Sequence, residues 1–414
     1  MPERADDSPR WIVRRALKTA LASALRAAGA PRAVASLRRR QAGGARVLVL
    51  SYHRVTDDFA LSANEALPSL LVSAATLRRQ LEEVARTHEV VSLADATRIL
   101  SEPPGTARPD VAVVTFDDGY ADNHEVALPV LAALRVPATV FVATGFTGTG
   151  RRLVHDRLHA TLSALGRRGI PAGRAGLAGP AQAILSAWAR RGPAATLDAL
   201  IAGLPHPALV LVAEALEART GLREEDLPPG SRLLDWNEIR ALDGAGVDIG
   251  GHSVSHAVLS NLPLAEARRE IAGCRDEIAE RLGRPPRHFA YPNGYHTPAV
   301  RRAVAEAGFD ATVTTEDGEN ARARGLHAIR RKVLWENSTL GMGGYSAALA
   351  TCCFAGVFNA LGLSRAVRGD RPDAPERASA ASGEDDPERG RAGPGRNRDP
   401  SRRVAGPSSA RELC

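Results

Sequence analysis

Short runs of nearly unbroken apolar character, separated by amphipathic stretches, constrain this chain more than any other feature of its sequence. Val47–Tyr52 (VLVLSY), Val111–Phe116 (VAVVTF) and Pro137–Ala143 (PATVFVA) show no alternation of apolar and polar residues. A strand without alternation is buried on both faces, the condition of a parallel sheet covered by helices. Ala75–Arg86 places Leu77, Leu81 and Val84 on one helical face, and a second helix is expected near Glu125–Leu134. A long stretch at about 151–230, rich in Ala, Leu, Arg and Pro, reads as a mainly helical insertion. Alternation then resumes through Val247–Ile249, Ala265–Leu282, His288–Tyr291, Pro298–Ala307 and Ala311–Thr315, with a last strand near Ile329–Leu334. The expectation is an α/β chain whose parallel strands lie in an open sheet or close into a barrel. Such folds carry their chemistry at the carboxyl ends of the strands.

The flanks differ from this central region, which is expected to span residues 46–335. Residues 1–46 hold eleven Arg or Lys against Glu3, Asp6 and Asp7, so the whole of the chain's net charge of +7 is accounted for there and the rest is close to neutral. In the segment 1–45, Val13, Leu17, Leu21 and Leu25 recur every four residues beside basic ones. That pattern suits first a helix docked on the domain, with a basic amphipathic helix lying on an anionic membrane surface as the alternative. No aromatic-interleaved basic patch accompanies it, so nucleic acid is not expected as a partner. Residues 336–367 read as a helical extension. From 368 to 414 the chain is Pro, Gly, Ser, Arg and Asp with almost no large apolar residue, which predicts a disordered tail. Cys274, Cys352, Cys353 and Cys414 form neither a disulfide framework nor a zinc knuckle. Arg14, Arg15 and Lys18 interrupt what would be the apolar core of a signal peptide, so a cytoplasmic location is expected, with the inner membrane face as the alternative.

The strand-end rule can be applied to the polar residues. VAVVTF runs directly into Asp117, Asp118, Gly119 and Tyr120. Two adjacent carboxylates at a buried strand end repel one another, and a metal ion relieves the cost for one of them. A capping or turn pair before the next helix is the plainer reading. The stretch VDIGG is followed by His252 and His256, four residues apart and able to converge on one ion. Two histidines and one carboxylate would leave an open position for water, as in a catalytic rather than a structural zinc site.

Taken in order, TFDDGY, DWNEIRALDGAGVDIGGHSVSH and FAYPNG resemble the NodB-homology polysaccharide deacetylases, carbohydrate esterase family 4, over about Val47 to Leu334. The resemblance implies a deformed (β/α) barrel that binds one divalent metal ion, commonly zinc, and acts on N-acetylated glycans. It implies Asp117 as general base and Asp118, His252 and His256 as metal ligands. In the chemistry it implies, water attacks the acetyl carbonyl, and the backbone N–H of Tyr291 is a candidate to stabilise the oxyanion. A general acid must protonate the leaving amine.

Two departures stand out. Where family members commonly carry an Arg that pairs with the base, this chain has Ala290. Arg330 is the candidate replacement and Arg287 its rival. The family's C-terminal strand ending in a His is missing, whereas VLVLSY ends in His53. First and last strands of a closed barrel are neighbours, so His53 is expected to be the acid. Two other readings stay open, a glycoside hydrolase using the Asp pair and a non-catalytic carbohydrate-binding relative. The glycan itself is not legible, whether a finished polysaccharide or its lipid-linked precursor.

Overall fold

The computed structural model describes residues 9–42, 46–103, 109–172, 177–188, 191–320 and 325–363. The tail expected at 368–414 lies outside the described residues. The main sheet runs in the order Lys332–Val333, Val47–Tyr52, Val111–Phe116, Ala138–Val142, Asp248–Gly251, His288–Ala290, Ala311–Val313, every pair parallel. Glu89–Val90 adds to the start of the Val111–Phe116 strand. This is a half-barrel. Its two ends are linked by one short segment, in which Ile329 bridges Val313 while Lys332 and Val333 pair with Leu50 and Ser51.

The strands form where the apolar runs require burial on both faces. Val47–Tyr52 and Val111–Phe116 are buried along their whole length and pair residue for residue, from Val47 on Val111 to Tyr52 on Phe116. Because the two strands end level, His53 and Asp117 leave the sheet side by side. The Tyr52 and Phe116 rings, 5.5 Å apart, stack just beneath them. A Cβ on Gly250 would collide with the Phe141 ring, so only glycine lets this strand approach its neighbour.

Helices cover the sheet as the periodicity predicts. Ala74–Ala85 buries Leu77, Leu81 and Val84, and Leu264–Leu282 buries Ala267, Ile271, Cys274 and Ile278. The insertion is helical as expected. Val154–Arg167, Gly179–Trp188, Pro193–Gly203 and His206–Thr220 enclose their own cluster of Leu158, Leu162, Leu185, Leu197, Leu200 and Leu216. The parallel pair Arg54–Thr56 and Leu71–Ser73 was not expected, since three-residue strands leave no period to detect.

At the amino end, Pro9–Ala27 and Ala30–Ala42 are helices, and the first packs on the helix Ala347–Phe354. The extension after residue 335 is not wholly helical, because a hairpin of Leu340–Gly341 with Gly344–Tyr345 precedes that helix. Cys352 and Cys353 are buried as small apolar residues. Among the described residues, no helix is long and apolar enough to cross a membrane.

Candidate active site

The backbone sets up the site before any side chain does. Asp117 N–H donates to Tyr52 O at 2.9 Å, extending the sheet by one residue, and the chain then turns sharply. Asp118 (φ 75°) and Gly119 (φ 73°) are both left-handed, as are Ser253 (φ 64°) and His256 (φ 55°) across the cleft. Non-glycine residues held there cost on the order of 1–3 kcal/mol each and persist only where the surroundings over-determine them. Glu270 provides such a constraint. Its carboxylate accepts from Val254 N at 2.9 Å, Ser255 N at 2.8 Å and Ser255 Oγ at 2.8 Å, while Thr144 N and Gly145 N donate to Ser253 O and Val254 O.

The loop so held brings His252 Nε2 to 3.3 Å and His256 Nε2 to 3.0 Å from Asp118 Oδ1. These three residues offer ligand atoms that all lie within 4.8 Å of one another. His252 Nδ1 lies 2.8 Å from Ala290 O. A carbonyl can only accept, so Nδ1 carries the proton and Nε2 is the nitrogen presented to an ion. Burial pushes the Asp118 carboxyl up, but His256 and His252 hold it well below the usual carboxylate range. Two nitrogens and one anionic oxygen are the three-ligand donor set of a catalytic divalent metal site.

Asp117 belongs to a different network. Arg331 Nη1 donates to its Oδ1 at 2.7 Å and Nη2 to its Oδ2 at 2.6 Å. Arg331 is fully buried, its Nη1 also reaching Thr115 Oγ1 and its Nε reaching Thr314 O. Burial raises the Asp117 carboxyl, and the charge and hydrogen bonds of Arg331 more than offset this, leaving it below its ordinary value. His53 Nε2 stands 4.0 Å from Asp117 Oδ2. Asp117, Asp118, His53, His252 and His256 therefore come together as expected.

Two expectations are corrected. Arg330 does not reach Asp117 but pairs with Glu316, because successive residues of an extended segment face opposite sides and Arg331 is the one turned inward. Arg287 pairs with Asp310 near the surface. Tyr291 cannot offer its N–H to an oxyanion, since that group donates to Val313 O at 3.2 Å within the sheet. Its ring is buried, with the hydroxyl donating to His327 O at 3.2 Å.

The structure also adds residues that sequence reasoning passed over. His155, at the start of the insertion, brings Nε2 to 3.9 Å from Asp118 Oδ2 and 2.8 Å from Tyr120 Oη. Tyr120 in turn donates to Asp156 Oδ2 at 2.9 Å. Burial pushes Asp156 up to about 7. The one signal for His155 was its place at the insertion's first helix, and no motif marks it. A pocket beside the site is lined by Leu158, Ile201, Leu204 and Leu209 of the insertion together with His155, His206 and His256.

The model of the family described as polysaccharide deacetylase matches residues 105–312. The putative polysaccharide deacetylase YxkH of Bacillus subtilis is 24% identical over 98 residues, 24% of this chain and 35% of that protein. The chain thus matches about a third of the length of that curated relative. Among solved structures, Streptococcus pyogenes deacetylase PplD in complex with acetate is 17% identical, with a TM-score of 0.47, covering 72% of this chain and 95% of that one. IcaB from Ammonifex degensii is 18% identical, with a TM-score of 0.47, covering 74% of this chain and 98% of that one.

Proposed function

The chain belongs to the polysaccharide deacetylase family, and from that premise we propose that it hydrolyses acetyl groups from N-acetylhexosamine residues of a glycan or its lipid-linked precursor, in a metal-dependent reaction. The observation that carries this reading is the pair of separate networks on adjacent residues. Asp118 faces two imidazole nitrogens, while Asp117 is held apart by Arg331.

Asp118, His252 and His256 would hold the ion, and their donor set suits zinc. Bound there, it would supply a Lewis acid and a water acidic enough to ionise near neutral pH. Asp117, ionised because Arg331 stabilises its charge, accepts the proton of the attacking water. Arg331 fixes the carboxylate plane through two parallel bonds, so the base does not swing toward the metal ligands. His53, level with Asp117 on the neighbouring strand, delivers the proton that the leaving amine requires. The pocket that the insertion forms beside His155 and His256 lies where it would bear on which glycan is admitted.

Glycosidic cleavage by the Asp pair is disfavoured on physical grounds. That reaction needs one carboxyl kept protonated as an acid. Asp117 and Asp118 are both held below their ordinary values. The test is acetate release from an N-acetylglucosamine oligomer by metal-loaded and chelator-treated protein. Acetate released only by the loaded protein supports the reading, and shortened oligomers without acetate would overturn it.

A further inference from the structure

The first helix, Pro9–Ala27, is docked with its amphipathicity reversed. A helix packed on a globular domain turns its large apolar residues inward. Here the inward side is built from Ala22, fully buried, and the half-buried Thr19 and Leu25. The contact with the helix Ala347–Phe354 is close, with Cys352 Sγ 3.6 Å from Ala22 O. Val13, Leu17 and Leu21 point to solvent instead, with Leu17 65% exposed. They stand four residues apart in one stripe, with Ala20 and Ala24 exposed along it and Ile12 beside it. The neighbouring hairpin, which meets this helix where Gly341 faces Thr19, adds the exposed Met342. The second helix adds Leu37, also exposed.

The two helices themselves carry charge of one sign, and of their basic residues Arg26, Arg38 and Arg39 pair with Glu83, Glu319 and Asp110 of the domain. Residues 9–42 carry nine Arg or Lys and no Asp or Glu. Arg14 is exposed between Val13 and Leu17, and Arg32 and Arg40 are exposed around Leu37. A contiguous row of large apolar side chains on a surface marks an interaction site. Its positive surroundings then select the partner. A second copy of the chain is a poor fit, since a two-fold contact would press this acid-free basic face against itself.

We propose that the face formed by Val13, Leu17, Leu21 and Met342 seats the protein on an anionic lipid bilayer. The apolar stripe enters the boundary between headgroups and acyl chains, and the flanking Arg and Lys residues meet the lipid phosphates. This surface is independent of the reaction proposed above, because none of its residues touches the site.

Flotation of the full chain with vesicles tests it. The protein should float with an equimolar mixture of phosphatidylcholine and phosphatidylglycerol, stay behind with phosphatidylcholine alone, and be released by added salt. The double variant Leu17→Ser/Leu21→Ser should bind the mixed vesicles on the order of tenfold more weakly or worse, as should Arg14→Gln/Lys18→Gln. Both should keep the thermal transition of the parent, since Leu17, Leu21 and Arg14 are exposed and Lys18 is half-buried. Vesicle binding that neither variant weakens would overturn the proposal. So would a parent that ignores both vesicles but sediments as a dimer which Leu17→Ser/Leu21→Ser dissociates, because the face would then be a self-association surface.

Discussion

The guanidinium of Arg331 closes on both oxygens of the Asp117 carboxylate, at 2.7 and 2.6 Å, with neither residue more than 2% exposed. A buried ion pair of this geometry is costly to break from one side. Removing one partner leaves an uncompensated charge, at roughly 3–5 kcal/mol. Arg331→Met should lose stability of that order in urea unfolding. Arg331→Lys, which keeps the charge but not the two-pronged bond, should lose distinctly less. The pH profile adds a second readout. Arg331 keeps Asp117 below its ordinary value, so a weaker partner lets that carboxyl rise and moves the acid limb of kcat/KM to higher pH. A limb that stays put in Arg331→Lys would mean that Asp117 is not the group titrating there.

The separation of the two carboxylates yields a metal prediction. His252→Ala or Asp118→Ala should lose bound metal and acetate release together, because each removes one of three ligand atoms. Asp117→Asn should keep the metal and lose turnover by about 10²–10⁴-fold, the usual contribution of a general base. Elemental analysis decides between them. Metal lost from Asp117→Asn but retained by Asp118→Ala would reverse the two roles.

Much of this site was legible because its parts are local. Asp117 and Asp118 follow an apolar run that can only be a buried strand, and His252 and His256 follow the short strand expected at Val247–Ile249. What was not legible depends on register. Arg331 lies 214 residues from Asp117, and its inward orientation follows from Leu50 pairing with Lys332 in a strand of two residues. Such a strand has no period from which to read which of Arg330 and Arg331 faces the site. The Tyr291 N–H failed for a similar reason. Whether a backbone group at a strand end is free depends on how far its neighbour extends, and here Val313 reaches it. His155 arrives from the insertion, whose path over the sheet no motif encodes.

Stability should fall on mild acidification, through a histidine remote from catalysis. Burial lowers His88 to about 4, with Asp110, Arg46 and Arg39 as the charged groups that act on it. The folded-state value lies below the unfolded one of about 6.5, so the stabilisation is complete above that pH and is lost as pH falls toward the folded value. His159, lowered to about 4 by burial, acts in the same direction. Each should contribute a loss on the order of 2 kcal/mol between about pH 7 and about pH 5. Urea titrations at the two pH values should show the parent losing more than His88→Gln, with the difference close to one histidine's share. Identical losses in both proteins would remove His88 from the account.

His53 stands where a general acid would be needed, beside the base. Its Nε2 stands 4.0 Å from Asp117 Oδ2, and its side chain keeps 14% exposure at a site where most neighbours have almost none. It is thus both close to the base and reachable by a substrate nitrogen. If His53 protonates the leaving amine, His53→Ala should lower turnover on N-acetylated sugars by about 10²-fold or more while metal content is unchanged. An aryl acetate provides the contrast, because its leaving phenolate needs no proton. The loss on that ester should be small, and the alkaline limb seen with the amide should disappear in the variant. Equal losses on amide and aryl ester would show that His53 positions the substrate or braces Asp117, and the acid would then have to be sought at His155, the imidazole near Asp118 that is not among the three proposed metal-binding residues.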